Sequence, residues 1–143
     1  GDVHDRLSQL GAGLMVEGLA LLEAGPVVLH QQAEDGVTHA AKVSPAEARI
    51  DWGKSGAEVA AHIRGLSPFP GAWFEDEGQR VKVLHAKAEA GSGKAGDVLD
   101  DGLLVACGSG AVRLTRLQRA GKGQMTMEEF QRGARIGKGR TLT

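Results

Sequence analysis

Apolar residues first recur at helical spacing over residues 4–23. Leu7, Leu10, Leu14 and Leu21 form one stripe, and Met15, Leu19 and Leu22 form a second beside it. Asp2 is placed to cap this helix, with Asp5 three residues on as in a capping box, and Gly25-Pro26 stops it. A stripe this wide needs a covering partner, and no second long helical pattern appears downstream to supply one. The partner is therefore expected upstream, in a part of the protein that precedes this chain. Residues 26–44 are mixed and polar and read as a linker. A helical turn can open at Ser44-Pro45-Ala46-Glu47. Ser55 caps a second helix over 57–66, with Val59, Ile63 and Leu66 on one face. Ser67-Pro68-Phe69-Pro70-Gly71 ends that helix, because the residue before a proline is pushed out of the helical region.

From Ala72 onward the period changes from that of a helix to that of a strand. Residues 72–75 form one candidate, followed by a Glu75-Asp76-Glu77-Gly78 turn whose acids read as a solvated tip. Residues 80–88 alternate, with Val81 and Val83 inward and Lys82 outward. A short strand is expected at 96–99. Residues 103–107, the Gly108-Ser109-Gly110 turn and residues 111–119 make a hairpin. Val112 and Leu114 share a face that Leu117 leaves, so a bulge is expected near Thr115. Thr126 caps a last helix over 127–134. The pattern predicts a mainly β fold: a small OB-like barrel of about five short strands with flanking helices, of the kind used for oligonucleotides.

Composition narrows the class. Hydrophobic residues make up 41% and charged residues 24%, as in an ordinary soluble domain. Runs such as 102–107 are too short to cross a bilayer, so no membrane is expected. The N-terminus carries no initiator Met and no secretory pattern, which suggests a chain processed or cut from something longer. Cys107 is the one cysteine, excludes an internal disulfide, and reads as a small buried residue in a reducing cytoplasm. The five histidines are too far apart in sequence for an obvious metal pair, and no metal is expected. No serine stands in a nucleophile elbow, and the neighbouring carboxylates Asp100-Asp101 and Glu128-Glu129 point apart. No catalytic centre assembles from these residues. Gly91-Ser92-Gly93-Lys94-Ala95-Gly96 matches a dinucleotide fingerprint letter by letter. The motif requires a helix immediately after it, but Asp97-Val98-Leu99 reads as a strand, so the stretch is read as a flexible loop.

Charge is more informative. Residues 111–143 carry eight bases against Glu128 and Glu129, a net of +6 within a chain whose net charge is -1. Arg113, Arg116, Arg119, Lys122, Lys138 and Arg140 are the candidates for contact with a polyanion, the Gly-Lys-Gly steps at 121–123 and 137–139 leaving backbone open to phosphates. A solvated charged surface is the plain alternative. Few aromatics are available for base stacking: Trp52, Trp73, Phe69, Phe74 and Phe130 are all there are.

Three ordered motifs then resemble the C-terminal part of methionyl-tRNA formyltransferases. They are Lys42-Val43-Ser44-Pro45-Ala46-Glu47-Ala48-Arg49-Ile50-Asp51-Trp52, Ile63-Arg64-Gly65-Leu66-Ser67-Pro68-Phe69-Pro70-Gly71-Ala72, and Leu114-Thr115-Arg116-Leu117-Gln118-Arg119-Ala120-Gly121-Lys122-Gly123 with Met125. The resemblance implies that residues 1–25 are the last helix of an α/β catalytic domain, 26–44 a linker, and 45–143 a tRNA-binding barrel. It implies that catalytic residues and the binding site for the donor, 10-formyltetrahydrofolate, lie in a missing N-terminal catalytic domain. The implied partner is initiator methionyl-tRNA, gripped electrostatically, with Lys42 and Lys122 at matching lysine positions. Pro45 stands where the family has a second lysine, which lowers the linker's charge. His39 and Phe69 stand for a tyrosine and a tryptophan and read as packing variants, with residues 67–72 a rigid connector and not an RNA contact. The rival readings are the corresponding domain of a sugar-nucleotide formyltransferase or a formyltetrahydrofolate hydrolase, which would not bind RNA, and a plain structural module.

Overall fold

The computed structural model describes all 143 residues, in two compact units, Gly1–Lys42 and Val43–Thr143. In the first unit, α1 spans Asp2–Ala24 and ends at Gly25, whose φ of 144° suits only glycine. Asp2 is not its cap: Gly1 holds that position without a side-chain hydrogen bond, and Asp2 and Asp5 lie in the first turn, where they complement the helix dipole. None of its residues is buried, and Leu7, Leu10, Leu14, Leu21, Met15, Leu19 and Leu22 are all exposed. By length and apolar composition α1 is sufficient to cross a membrane, which the short apolar runs of the sequence had not suggested. Residues 26–42 contain no helix or strand.

The second unit opens with a single turn over 45–48. The Ser44 hydroxyl accepts from the Glu47 amide (3.2 Å), and the Glu47 carboxylate accepts from the Ser44 amide (2.8 Å). Pro45 follows Ser44 at the first position of that turn, where its missing N–H leaves nothing unsatisfied. Helix α2 (Gly56–Leu66) and helix α3 (Met127–Ala134) each begin with a complete capping box, from Ser55 with Glu58 and from Thr126 with Glu129.

Between the helices lie β1 (Ala72–Asp76), β2 (Gln79–Glu89), β3 (Leu104–Ala106), β4 (Ala111–Arg119) and β5 (Gln124–Thr126), all antiparallel in the order β1-β2-β4-β3, with β5 pairing the far half of β4. The expected bulge is present. Thr115 is the extra residue on β4 and Leu84 the extra residue on β2, and the Thr115 hydroxyl donates to the His85 carbonyl at 3.1 Å. Residues 96–99 do not form a strand of their own but are laid between two partners. Ala106 donates to Asp97 (2.8 Å) on one side, and Val98 donates to Arg140 (2.8 Å) on the other. The terminal segment then reaches β1, where the Glu75 amide donates to the Thr143 carbonyl at 2.6 Å. The curled sheet is thereby joined across its open side by residues 140–143.

The core fills this curl. Phe74, Phe130, Ile63, Leu103, Leu114, Leu117 and Ile136 are its largest fully buried side chains, and Trp52 packs against Phe74 with ring centroids 6.1 Å apart. Cys107 is buried as expected, and burial pushes its thiol up to about 11. The Gly91–Gly96 stretch is not a free loop. A Cβ at Gly91 would meet the Ala111 methyl at 2.6 Å, and one at Gly96 would meet the Leu142 carbonyl at 2.6 Å. Those glycines permit close packing, not a phosphate cradle.

Gly56 gives a test of this packing whose sign is diagnostic. At the first position of a helix, Ala should stabilise relative to Gly by up to about 1 kcal/mol. Here the added methyl would run into the Ala111 backbone carbonyl. Gly56→Ala is therefore expected to lower the urea midpoint; a midpoint at or above that of the parent would contradict this close approach.

Candidate nucleic-acid interface

The fold does not treat the expected RNA-binding bases alike. Arg113 projects from β4 into a ring of acceptors. Its Nε donates to both oxygens of Glu89 (2.9 and 3.0 Å), its Nη1 to Asp100 (3.2 Å) and the Gly102 carbonyl (3.1 Å), and its Nη2 to Asp100 (2.9 Å). Asp100 also accepts from the amides of Gly102 and Leu104. The Arg113 hydrogen bonds, aided by those amides, hold the Asp100 carboxyl below the usual carboxylate range. Arg140 is similarly engaged, 2.8 Å from Asp76 and 2.8 Å from Glu77. Asp76 is therefore not part of a solvated tip: its side chain is only 13% exposed and faces this guanidinium.

The +6 balance of 111–143 is thus partly a feature of sequence order. Asp76, Glu77, Glu89 and Asp100 all lie outside that stretch and fold onto two of its arginines. Arg113 and Arg140 clamp the barrel and retain little net field to offer a phosphate.

The other candidates are placed differently. Arg116 is exposed on β4 opposite His85 of β2. The guanidinium of Arg119 lies 5.0 Å from the centroid of the Phe130 ring. Lys122 is exposed in the β4–β5 turn, whose shape is fixed by Gln118 donating to the Lys122 carbonyl at 2.8 Å. Lys138 is exposed beside Asp101, and Lys42 is exposed in the other unit. Two bases that the sequence did not single out join this group. Arg80 rests 4.2 Å from the centroid of the Trp73 ring, and Lys82 pairs across the ladder with Gln118. Arg80, Lys82, Gln118, Arg119, Ala120 and Gly121 line one groove of about 310 Å³.

Arg80, Lys82, Arg116, Arg119 and Lys122 take part in no ion pair. They are distributed along the β2–β4 ladder and its following turn, with Arg80 opposite Glu75 of β1 and Arg119 opposite Val81, on the other face from the Lys82–Gln118 pair. A larger groove, about 410 Å³, opens at the start of α2, but its one charged lining residue, Glu89, is already committed to Arg113. The alternation of β2 placed Lys82 outward, and the same period extends to Arg80. What the sequence could not supply was their adjacency to Gln118 and Arg119.

The curled antiparallel sheet with its two box-capped helices defines a compact β module. The chain belongs to the formyl transferase C-terminal domain family, whose pattern matches residues 42–135. It is 56% identical over 142 residues to the methionyl-tRNA formyltransferase of Rhodopseudomonas palustris (strain TIE-1), covering 96% of this chain and 46% of that protein. The methionyl-tRNA formyltransferase of Bradyrhizobium diazoefficiens is 53% identical over 146 residues, covering 99% of this chain and 47% of the relative. The chain thus spans about half the length of the curated relatives it matches. Among solved structures, HypX from Aquifex aeolicus in complex with tetrahydrofolic acid shares the fold. Its TM-score is 0.65 at 22% identity, over 90% of this chain and 26% of that one.

The Arg113 clamp can be read through pH. With Asp100 lowered in the folded state, its share of stability is present above the unfolded carboxylate value of about 4 and is lost as pH falls through the folded one. Arg113→Met is expected to cost about 1 kcal/mol at pH 7, a figure reduced for the solvent reaching these carboxylates. The difference between parent and variant in urea melts should shrink at about pH 3. An equal difference at both pH values would detach Asp100 from the clamp.

Proposed function

We propose that this chain is the RNA-holding part of a cytoplasmic methionyl-tRNA formyltransferase. On this reading the parent enzyme moves a formyl group from 10-formyltetrahydrofolate to the amino group of methionyl initiator tRNA. The reacting groups and the donor site lie in the N-terminal catalytic domain. The present chain supplies grip and not chemistry. The observation that carries the reading is the group Arg80, Lys82, Arg116, Arg119 and Lys122, none of them in an ion pair, on a barrel where carboxylates neutralise Arg113 and Arg140. A module serving a sugar nucleotide or a folate alone has no need of several unpaired bases along one ladder, whereas a phosphate backbone does. Lys42, Lys138 and the glycine-rich turn at 121–123 extend the candidate contact set.

The experiment is a titration of the 143-residue chain with folded initiator tRNA at about 50 and 200 mM salt. About five phosphate contacts should weaken binding by roughly a few hundredfold over that range. Arg116→Glu and Lys122→Glu should each weaken binding and flatten the salt slope. Arg113→Met and Arg140→Gln should lower the melting temperature and leave the slope nearly unchanged. Absence of binding at either salt would discard the tRNA reading in favour of the sugar-nucleotide or folate relatives.

A further inference from the structure

The chain has five aromatic side chains, and four of them are buried: Trp52 at 6% exposure, Trp73 at 8%, Phe74 at 0% and Phe130 at 1%. Phe69 is 84% exposed. It is therefore not a packing variant, because it fills no space in the barrel. Prolines 68 and 70 flank it and restrict the backbone on both sides. Gly71, at a φ of 85°, closes the loop by donating to the Leu66 carbonyl at 2.9 Å. A large apolar face is thus held out in solvent by a stiff connector, so little conformational entropy would be lost when something covers it.

Its surroundings indicate what that something is. The Lys82 ammonium lies 5.9 Å from the centroid of the Phe69 ring. Lys82 is also a wall of the groove that it shares with Arg80, Gln118, Arg119 and Gly121. The arginines of that groove are seated on the rings of Trp73 and Phe130 and are in no ion pair; Glu75 stands opposite Arg80 in the ladder, while Arg119 and Lys82 face no acid across theirs. At about 310 Å³ the groove is at the lower end of the size range that holds a small ligand. One ligand class combines a flat π-face with a phosphate attached to it: a nucleotide. A base still stacked in a duplex cannot offer its face, so the nucleotide must be unpaired or turned out of its helix.

We propose that Phe69 is a stacking platform for one unpaired nucleotide of the bound RNA, whose phosphate is held by Lys82, Arg80 and Arg119. The assignment deepens the RNA-binding reading given above and rests on it. It separates two tasks: the group of cationic side chains grips backbone without regard to sequence, and Phe69 takes a base. A protein surface that covers Phe69, such as another part of a longer chain, is the alternative occupant.

The test uses the 143-residue chain with Phe69→Ala, Phe69→Leu, Phe69→Trp and Lys82→Met. Binding of folded initiator tRNA is expected to weaken by about tenfold or more in Phe69→Ala and Phe69→Leu, and to be kept or tightened in Phe69→Trp. Phe69→Ala removes no charge, so its salt slope should match the parent's, whereas Lys82→Met should lower the slope by about one. The indole introduced by Phe69→Trp should be quenched both by tRNA and by single-stranded hexa-adenylate, against the constant background of the buried Trp52 and Trp73. If tRNA binds but Phe69→Ala binds as well as the parent and the indole is not quenched, the platform falls and a protein occupant takes its place. If tRNA fails to bind while hexa-adenylate still quenches, the platform stands and the tRNA reading falls. If neither ligand acts, both are overturned.

Discussion

A curled sheet of this size has two edges to satisfy, and the joining of those edges by the terminal segment is the constraint on which the rest depends. Residues 96–99 lie on β3, residues 139–142 lie on 96–99, and Thr143 reaches β1. The same β1 edge is met further along by residues 48–50, where Trp73 donates to Ala48 at 3.0 Å and Ile50 donates to Trp73 at 2.8 Å. The amides of Val98, Gly139, Leu142 and Glu75 all exchange water for backbone partners along this path. Ile136 and Leu142, both buried, are carried in by the same segment. Without residues 136–143, the Glu75 end of β1 and the outer side of the 96–99 segment would be open edges, and the core would lose Ile136 and Leu142.

The Arg140 pair with Asp76 and Glu77 fastens this joint from outside, and the Arg113 cluster fastens the other side of the sheet, where β2, β3 and β4 meet. Both use one arginine to hold two carboxylates that lie well before it in the chain. The planar fork of a guanidinium suits that task, since it can point donors at two acceptors at once. The net charge of the whole chain therefore says little about where charge is free. What matters is which bases reach solvent outside an ion pair, and that is decided by how the strands and the terminal segment bring distant acids and bases together.

Much of the local structure was legible in the sequence. The limits of α3, the Ser55 and Thr126 caps, the β3–β4 turn and the Thr115 bulge follow from residue chemistry within a few positions of one another. Short-range signals of this kind survive folding because their partners are already adjacent. The misses share an opposite cause. The Glu75–Glu77 acids read as solvated because Arg140 lies far along the chain, at its other end. The 91–96 glycines read as a free loop because Ala111 and Leu142 were not in view. β5 was missed because Gln124-Met125-Thr126 has no β signal of its own and pairs only because Arg116–Gln118 offers an unfilled edge. Phe69 was misjudged for a related reason: an aromatic between prolines looks like packing until the barrel is seen to leave it outside.

The candidate site shows the same division in its electrostatics. Two ways of holding an arginine are used on one small barrel. Carboxylates hold Arg113 and Arg140, cancelling their charge at close range, and such groups serve the fold. Aromatic faces hold Arg80 and Arg119: a ring quadrupole positions the guanidinium but carries no net charge, so the field of the cation still extends outward. A barrel that must be stable and, on the proposed reading, also attract a polyanion has reason to use both. If every base were salt-bridged, the module would be stable and electrostatically silent; if every base were free, mutual repulsion along β2 and β4 would oppose the sheet. Seating the outward arginines on Trp73 and Phe130 orders them at little cost to their charge. Arg80 and Arg119 are therefore ordered by the fold without being neutralised by it.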